Sequence, residues 1–299
     1  MDEEIYEKYI SAGEIASKAR EYGINLIKPG VSFLDVCEKV ESKIKELGAE
    51  LSFPVNIARN NIAAHFSPRH DDKHVFKKGD LVKLDVGTHV DGYIADTAKT
   101  VEVGLDKYSN LIKASDEALN IAIKNMKPGV KLSEIGKIVQ EKISSFGFKP
   151  IDNLTGHSLK RYVLHSGLAV PSVYDISNMS KPQVDDVIAI EPFATDGIGH
   201  VVSGKGSNIY LCNKSLRSRL IRDKKSKIMF HRYKKKFSTL PFAQRWVEKY
   251  FKNSDNTLRK LSFIGYVSHY PQLIEQKNGM VSQKEHTVII TEDGCEVTT

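Results

Sequence analysis

Cysteine is scarce, and its three copies, Cys37, Cys212 and Cys295, are odd in number and far apart. That excludes a disulfide framework and a cysteine-built zinc site, and a reducing cytoplasm fits best. Long apolar runs are missing too. None approaches the roughly 20 residues that a membrane helix needs. The start, Met1-Asp2-Glu3-Glu4, is acidic and opens an amphipathic stretch, so the basic and apolar regions of a secretory signal are absent. Positive charge is concentrated in one block. Lys214 to Lys236 holds eleven Lys or Arg against the single acid Asp223, so the remainder of a chain of net charge +7 sits at −3. Such a block is either a solvated helix face or a meeting place for a polyanion. Otherwise 299 residues with 40% apolar and 27% charged side chains are enough for one large globular domain or two modest ones.

A weak internal repeat organises the chain. Lys28 to Gly48, KPGVSFLDVCEKVESKIKELG, aligns without gaps to Lys127 to Gly147, KPGVKLSEIGKIVQEKISSFG, with eight identities in 21 positions. Each copy reads as a turn, an amphipathic helix and a closing glycine. The correspondence continues from Asn61–His65 to Asn153–His157, and from Gly79–Asp85 to Val184–Glu191. Each half therefore runs helix, histidine-bearing segment, then a strand ending in a carboxylate. Folding the halves about a pseudo-twofold axis would gather those groups in one central site.

Leu81 to Val90 and Tyr93 to Val103 are rich in β-branched residues and flank Asp91-Gly92, a two-residue hairpin signal. That turn sets residue 85 opposite residue 98. Asp96 then shares a face with Asp85 as its diagonal neighbour, roughly 5.5–8 Å away. Carboxylates so close repel unless a positive charge lies between them. Strand signals return at Glu285 to Thr291, after a basic, aromatic stretch from about 203 to 268 with helical segments such as Phe242 to Phe251. The candidate ligands are Asp85, Asp96, His157, Glu191 and Glu285. Four carboxylates and one imidazole form a hard set, better suited to a pair of Mn, Fe, Co or Zn ions than to a structural zinc. The apolar run 187–190 leads straight into Glu191, where burial would be costly without a cation.

Five separated strings carry a resemblance. AAHFSP (63–68), LDVGTHVDGYIADTA (84–98), NLTGHSLKRYVLHSG (153–167), AIEPFAT (189–195) and QKEHTVII (283–290) resemble, in order, the motif blocks of the archaeal type 2 methionine aminopeptidases. The likeness spans nearly the whole chain. It implies an α+β pita-bread catalytic domain of two pseudo-symmetric halves, made up by residues 1–202 and 269–299 together, with a winged-helix-like helical insertion at 203–268. It implies hydrolytic removal of the initiator methionine from nascent chains when the second residue is small.

By the same resemblance Asp85 is the bidentate ligand of one of two divalent ions, and His157 and Glu191 bind the other. Asp96 and Glu285 bridge them. Two ions about 3.5–4 Å apart would hold a bridging hydroxide available near neutral pH. His165 would meet the substrate carbonyl or the oxyanion, His65 would contact substrate and assist proton transfer, and Glu191 would shuttle a proton. Phe53, Leu164 and Tyr270 would wall the methionine pocket. Lys284 departs from the aromatic residue that relatives often carry before the ligand glutamate. The long charged N-terminal extension of eukaryotic relatives is missing, which points to the archaeal kind. A cytoplasmic monomer is implied, and the basic block 214–236 is expected to dock on ribosomal RNA near emerging chains.

Two rivals share the scaffold. A non-catalytic RNA- or protein-binding relative would have lost metal ligands, and all five ligand types are present. An Xaa-Pro dipeptidase would carry a large extra N-terminal domain and lack the insertion.

Overall fold

Both copies of the repeat form helices for reasons visible in their ends. Ser32 caps Phe33–Glu46 by accepting from the Asp35 backbone N–H at 3.3 Å, whereas the matching helix Leu132–Ser145 follows Lys131 with no side-chain cap. Gly30 and Gly129, at the same place in the two KPGV turns, take left-handed φ values of 83° and 78°, which L side chains rarely adopt. Each helix packs beside a longer partner, Glu3–Leu26 in the first half and Ser109–Asn125 in the second. The computed structural model describes residues 1–213, 221–251 and 254–299.

Among the described residues, eleven strands form one sheet beneath these helices. Its main path runs Glu50–Leu51, Leu81–Val90, Tyr93–Glu102, Val281–Ile290, Val187–Ile190, Thr155–Leu159 and Ala169–Pro171, all antiparallel neighbours. The hairpin register is the one the turn dictates, with Asp85 opposite Ala98 and Gly87 opposite Asp96. Val281–Ile290 joins the halves. Lys284 and Glu285 pair with the first half, and His286 to Ile289 pair with the second. Glu285 thus stands at the seam. Separate apolar cores lie under each half, one around Phe33, Val40, Ile57 and Leu84, the other around Leu119, Ile135, Ile188 and Val288. This is the α+β pita-bread arrangement of two related halves.

The stretch 203–268 is less helical than its composition suggests. Val201–Cys212 runs on as a strand and pairs with Val267–Glu275, forming a ribbon in a second, four-stranded sheet with Ile62–Ala64 and Phe242–Ala243. The helices are Lys224–Phe237, Gln244–Glu248 and Ser254–Phe263, around their own core of Met229, Phe230, Tyr233, Phe242 and Leu258. A helix over Phe242 to Phe251 is therefore corrected. Phe242 and Ala243 are buried strand residues beside Tyr210 and Ile209, because edge pairing and burial outweigh local helix preference there. The returning strand also starts earlier than Glu285, at Val281. No helix among the described residues is long and apolar enough to cross a membrane. Residues 214–220 of the basic block lie outside the described residues.

Candidate metal centre and active site

The hairpin delivers Asp85 and Asp96 to one face, and the seam strand delivers Glu285 beside them. Thr155–Leu159 contributes His157, paired opposite Ala189, and Glu191 follows the strand Val187–Ile190. His157 Nε2 lies 3.7 Å from both Asp96 Oδ2 and Glu191 Oε1. Gln283, two residues before Glu285 on the same strand face, donates from Nε2 to Glu191 Oε2 at 3.1 Å and to Glu285 Oε2 at 3.5 Å. Gly87 opens this face to an aromatic ring. A Cβ there would meet Phe53 at 2.1 Å.

All ten residues singled out by sequence line one cavity: Phe53, His65, Asp85, Asp96, His157, Leu164, His165, Glu191, Tyr270 and Glu285. Asn56, Ala64, Ile209 and Pro241 line it as well. The room for water-sized molecules is about 70 Å³, several waters' worth, which matches one slender side chain more closely than a bulky ligand.

Electrostatics show what the cavity asks for. Burial pushes the Asp85 carboxyl up to about 7. Burial and then repulsion from neighbouring carboxylates hold Asp96, Glu191 and Glu285 well above the ordinary range. Burial likewise drives His157 down to about 3 and His65 to about 4, with His165 adding to both, and lowers His165. Asp85 Oδ1, Asp96 Oδ1 and His157 Nδ1 are buried with no hydrogen-bond partner. Four acids and an imidazole that are each costly to charge alone form a stable set around a cation.

Asp96, His157 and Glu285 each place a ligand atom within 4.8 Å of the others, close enough for one ion. Asp85 and Glu191 lie outside that triad but line the same cavity. The residues fit a hard divalent cation. Because these carboxyls keep protons that free Asp and Glu would have lost, an entering cation must displace them. Metal affinity should therefore rise with pH through about 7, where Asp85 titrates, and fall below it. Calorimetry of Mn binding near pH 6, in two buffers of different ionisation enthalpy, should show net proton release. Uptake with no proton exchange would contradict the ligand set.

His65 follows the strand Ile62–Ala64 at φ 61°, left-handed for a non-glycine residue, at about 1–2 kcal/mol. Its ring meets Tyr270 edge-on at 5.2 Å between centroids, while His165 lies 4.3 Å from the His157 ring. Lys284 lies on the opposite face. It pairs across from Lys99 near Asp116 and Glu21, so its departure from the family pattern does not enter the cavity.

Comparison with known proteins agrees with this geometry. The profile of metallopeptidase family M24 matches residues 7–292, and the chain belongs to that family. A protein of Methanocaldococcus jannaschii named methionine aminopeptidase is 49% identical over 301 residues, covering 100% of both chains. Among solved structures, a thermophilic Arx1 matches with TM-score 0.87 at 17% identity, covering 100% of this chain and 91% of that one. A methionine aminopeptidase of Thermotoga maritima matches with TM-score 0.72 at 23% identity, covering 100% and 98%. At those identities the structural matches speak for the fold.

Proposed function

We propose that this chain is a type 2 methionine aminopeptidase of the archaeal kind, which removes the initiator methionine from new proteins when the second residue is small. The observation that carries the reading is the convergence, in one cavity with apolar lining, of two buried carboxylates, Asp96 and Glu285, two half-buried ones, Asp85 and Glu191, and three histidines from both halves. Asp85, Asp96, His157, Glu191 and Glu285 would hold two divalent ions, drawn from Mn, Fe, Co or Zn. Such ions supply Lewis acidity at the scissile carbonyl and make water acidic enough to attack near neutral pH.

The chain's own groups do the rest. The acidic cluster receives the free α-ammonium of the substrate. Phe53, Leu164 and Tyr270, joined by Ile209 and Pro241, hold the methionine side chain. His65 and His165, kept neutral by burial, offer ring nitrogens to the substrate carbonyl and the departing amine. Glu191, which accepts from Gln283, would take the proton that the attacking water gives up and hand it to the departing amine. A monomer acting in the cytoplasm fits the reading.

Metal-loaded protein offered Met-Gly-type and Xaa-Pro-type peptides should release methionine from the first and leave the second intact. Cleavage of the Xaa-Pro type alone would sink the proposal.

We also assign the unit at 203–268 as a subdomain carried on the ribbon, with the basic face of Lys224–Phe237 turned to ribosomal RNA. Asp223 caps that helix, Met229, Phe230 and Tyr233 point inward, and Lys224, Lys225 and Lys235 are exposed. Reversing the exposed charges should weaken ribosome co-sedimentation, most at low salt, and leave tripeptide cleavage unchanged. Co-sedimentation that ignores both the reversal and a salt series would refute the docking role.

A further inference from the structure

The inserted unit also reaches the segment that carries His65. Arg245 is buried, with a side chain 2% exposed, and its guanidinium pairs with Glu41 on the helix Phe33–Glu46. Its Nη1 donates to Ser67 Oγ at 2.7 Å and to the Pro68 carbonyl at 3.0 Å. The next residue, Trp246, donates from Nε1 to the other Glu41 oxygen at 2.8 Å. Glu41 also accepts from the Val55 backbone N–H at 3.3 Å, one residue before the cavity residue Asn56. Ser67 Oγ in turn donates to the Val55 carbonyl at 2.7 Å.

We infer that the Arg245–Glu41 pair is a positioning device for His65, acting through Ser67 and Pro68. The inference rests on the reading of His65 as part of the catalytic machinery.

His65 has few other guides. Its backbone is left-handed, its Nδ1 has no partner, and its ring makes an edge-on contact with Tyr270 and a hydrogen bond to the Pro271 backbone. The ring position therefore depends on the path of residues 65–68 as well. That path is held by Ile57 N–H donating to the Phe66 carbonyl at 2.8 Å, by Ser67 N–H donating to the Ser207 carbonyl, by Asn208 Nδ2 donating to the Ser67 carbonyl, and by Arg245. Arg245 alone grips two consecutive residues, and a planar guanidinium can do so while pairing with a carboxylate, which an ammonium cannot match. Its segment begins with Pro241, which lines the cavity. One buried ion pair thus fastens the walls bearing His65, Asn56 and Pro241. A buried pair rarely adds much net stability but can fix one arrangement among several.

The test is a double-mutant cycle on the full-length, metal-loaded protein, with steady-state cleavage of a Met-Ala-Ser tripeptide as readout. Arg245→Met should lower kcat about tenfold or more, with KM within about threefold and bound metal unchanged. Arg245→Lys should restore part of kcat. Placed in His65→Ala, Arg245→Met should add less than about a twofold loss, because the residue it acts through is gone. If Arg245→Met does not fold, Glu41→Gln, which keeps the shape of the side chain, carries the same cycle. An equal loss in both backgrounds, or a loss through metal content alone, overturns the positioning role. A His65→Ala variant as active as the parent overturns this inference together with the assigned role of His65, whereas an additive cycle leaves that role standing.

Discussion

Asp96→Ala and Glu285→Ala should each remove nearly all hydrolysis, by about a thousandfold or more, beyond what losing a single transition-state donor costs. Both carboxylates are buried and fall in the sphere shared with His157, and Glu285 sits where the central strand changes partner from one half to the other. On the proposed two-ion reading, deleting either would take a negative charge from between the cations, so second-ion binding should fail along with catalysis. Asp91 is the control. It stands at the hairpin turn with φ 50°, exposed and 3.0 Å from Lys8, on the same hairpin but away from the cavity. Asp91→Asn, which tolerates the left-handed backbone, should keep activity within about threefold. Metal content and kcat measured on the three variants check this. Comparable losses at all three would show that the roles are misassigned.

A Lys or Glu at the first substrate position should be cleaved at least about a thousandfold less well than methionine, since an unpaired charge in an apolar site costs several kcal/mol. Phe53, Leu164, Ile209, Pro241 and Tyr270 supply apolar lining and no charged partner. Norleucine has nearly the reach of methionine and should be accepted. Shorter apolar chains should lose about 1–3 kcal/mol per missing methylene. N-acetylation should stop cleavage, because it removes the ammonium that the acidic cluster receives. Tight space beyond the scissile bond, implied by the family likeness, should favour Gly, Ala, Ser, Thr or Val second. Tripeptides varied at the first two positions, at one fixed metal, give the ranking. Efficient release of Lys or Glu would place the pocket elsewhere, even with the metal centre intact.

Sequence exposed those parts of the site whose chemistry is local. The Asp91-Gly92 turn fixes the hairpin register, and the register alone puts Asp85 and Asp96 on one face. The repeat foretold two related halves, because each copy needs the same left-handed glycine in its turn. Asn56, Ile209 and Pro241 were not legible. Asn56 reveals itself only once its strand is laid opposite Asp85, and the other two come from the ribbon and its neighbour, far along the chain. Composition also overstated helix after residue 203. Phe242 and Ala243 form an edge strand against Val201–Cys212, a pairing that local periodicity cannot see. Lys284 looked troublesome beside Glu285 until strand alternation placed it on the far face.

If the proposed function holds, methionine release from this cavity depends on bound metal. A titration of metal-stripped protein with Mn, following methionine release from a Met-Ala-Ser tripeptide at fixed pH, tests this. No release is expected before metal is added, release should grow until about two equivalents are bound, and the Glu285→Ala variant should stay about a thousandfold or more below the parent at every loading. Release from the stripped protein, or full release by the Glu285→Ala variant, would contradict it.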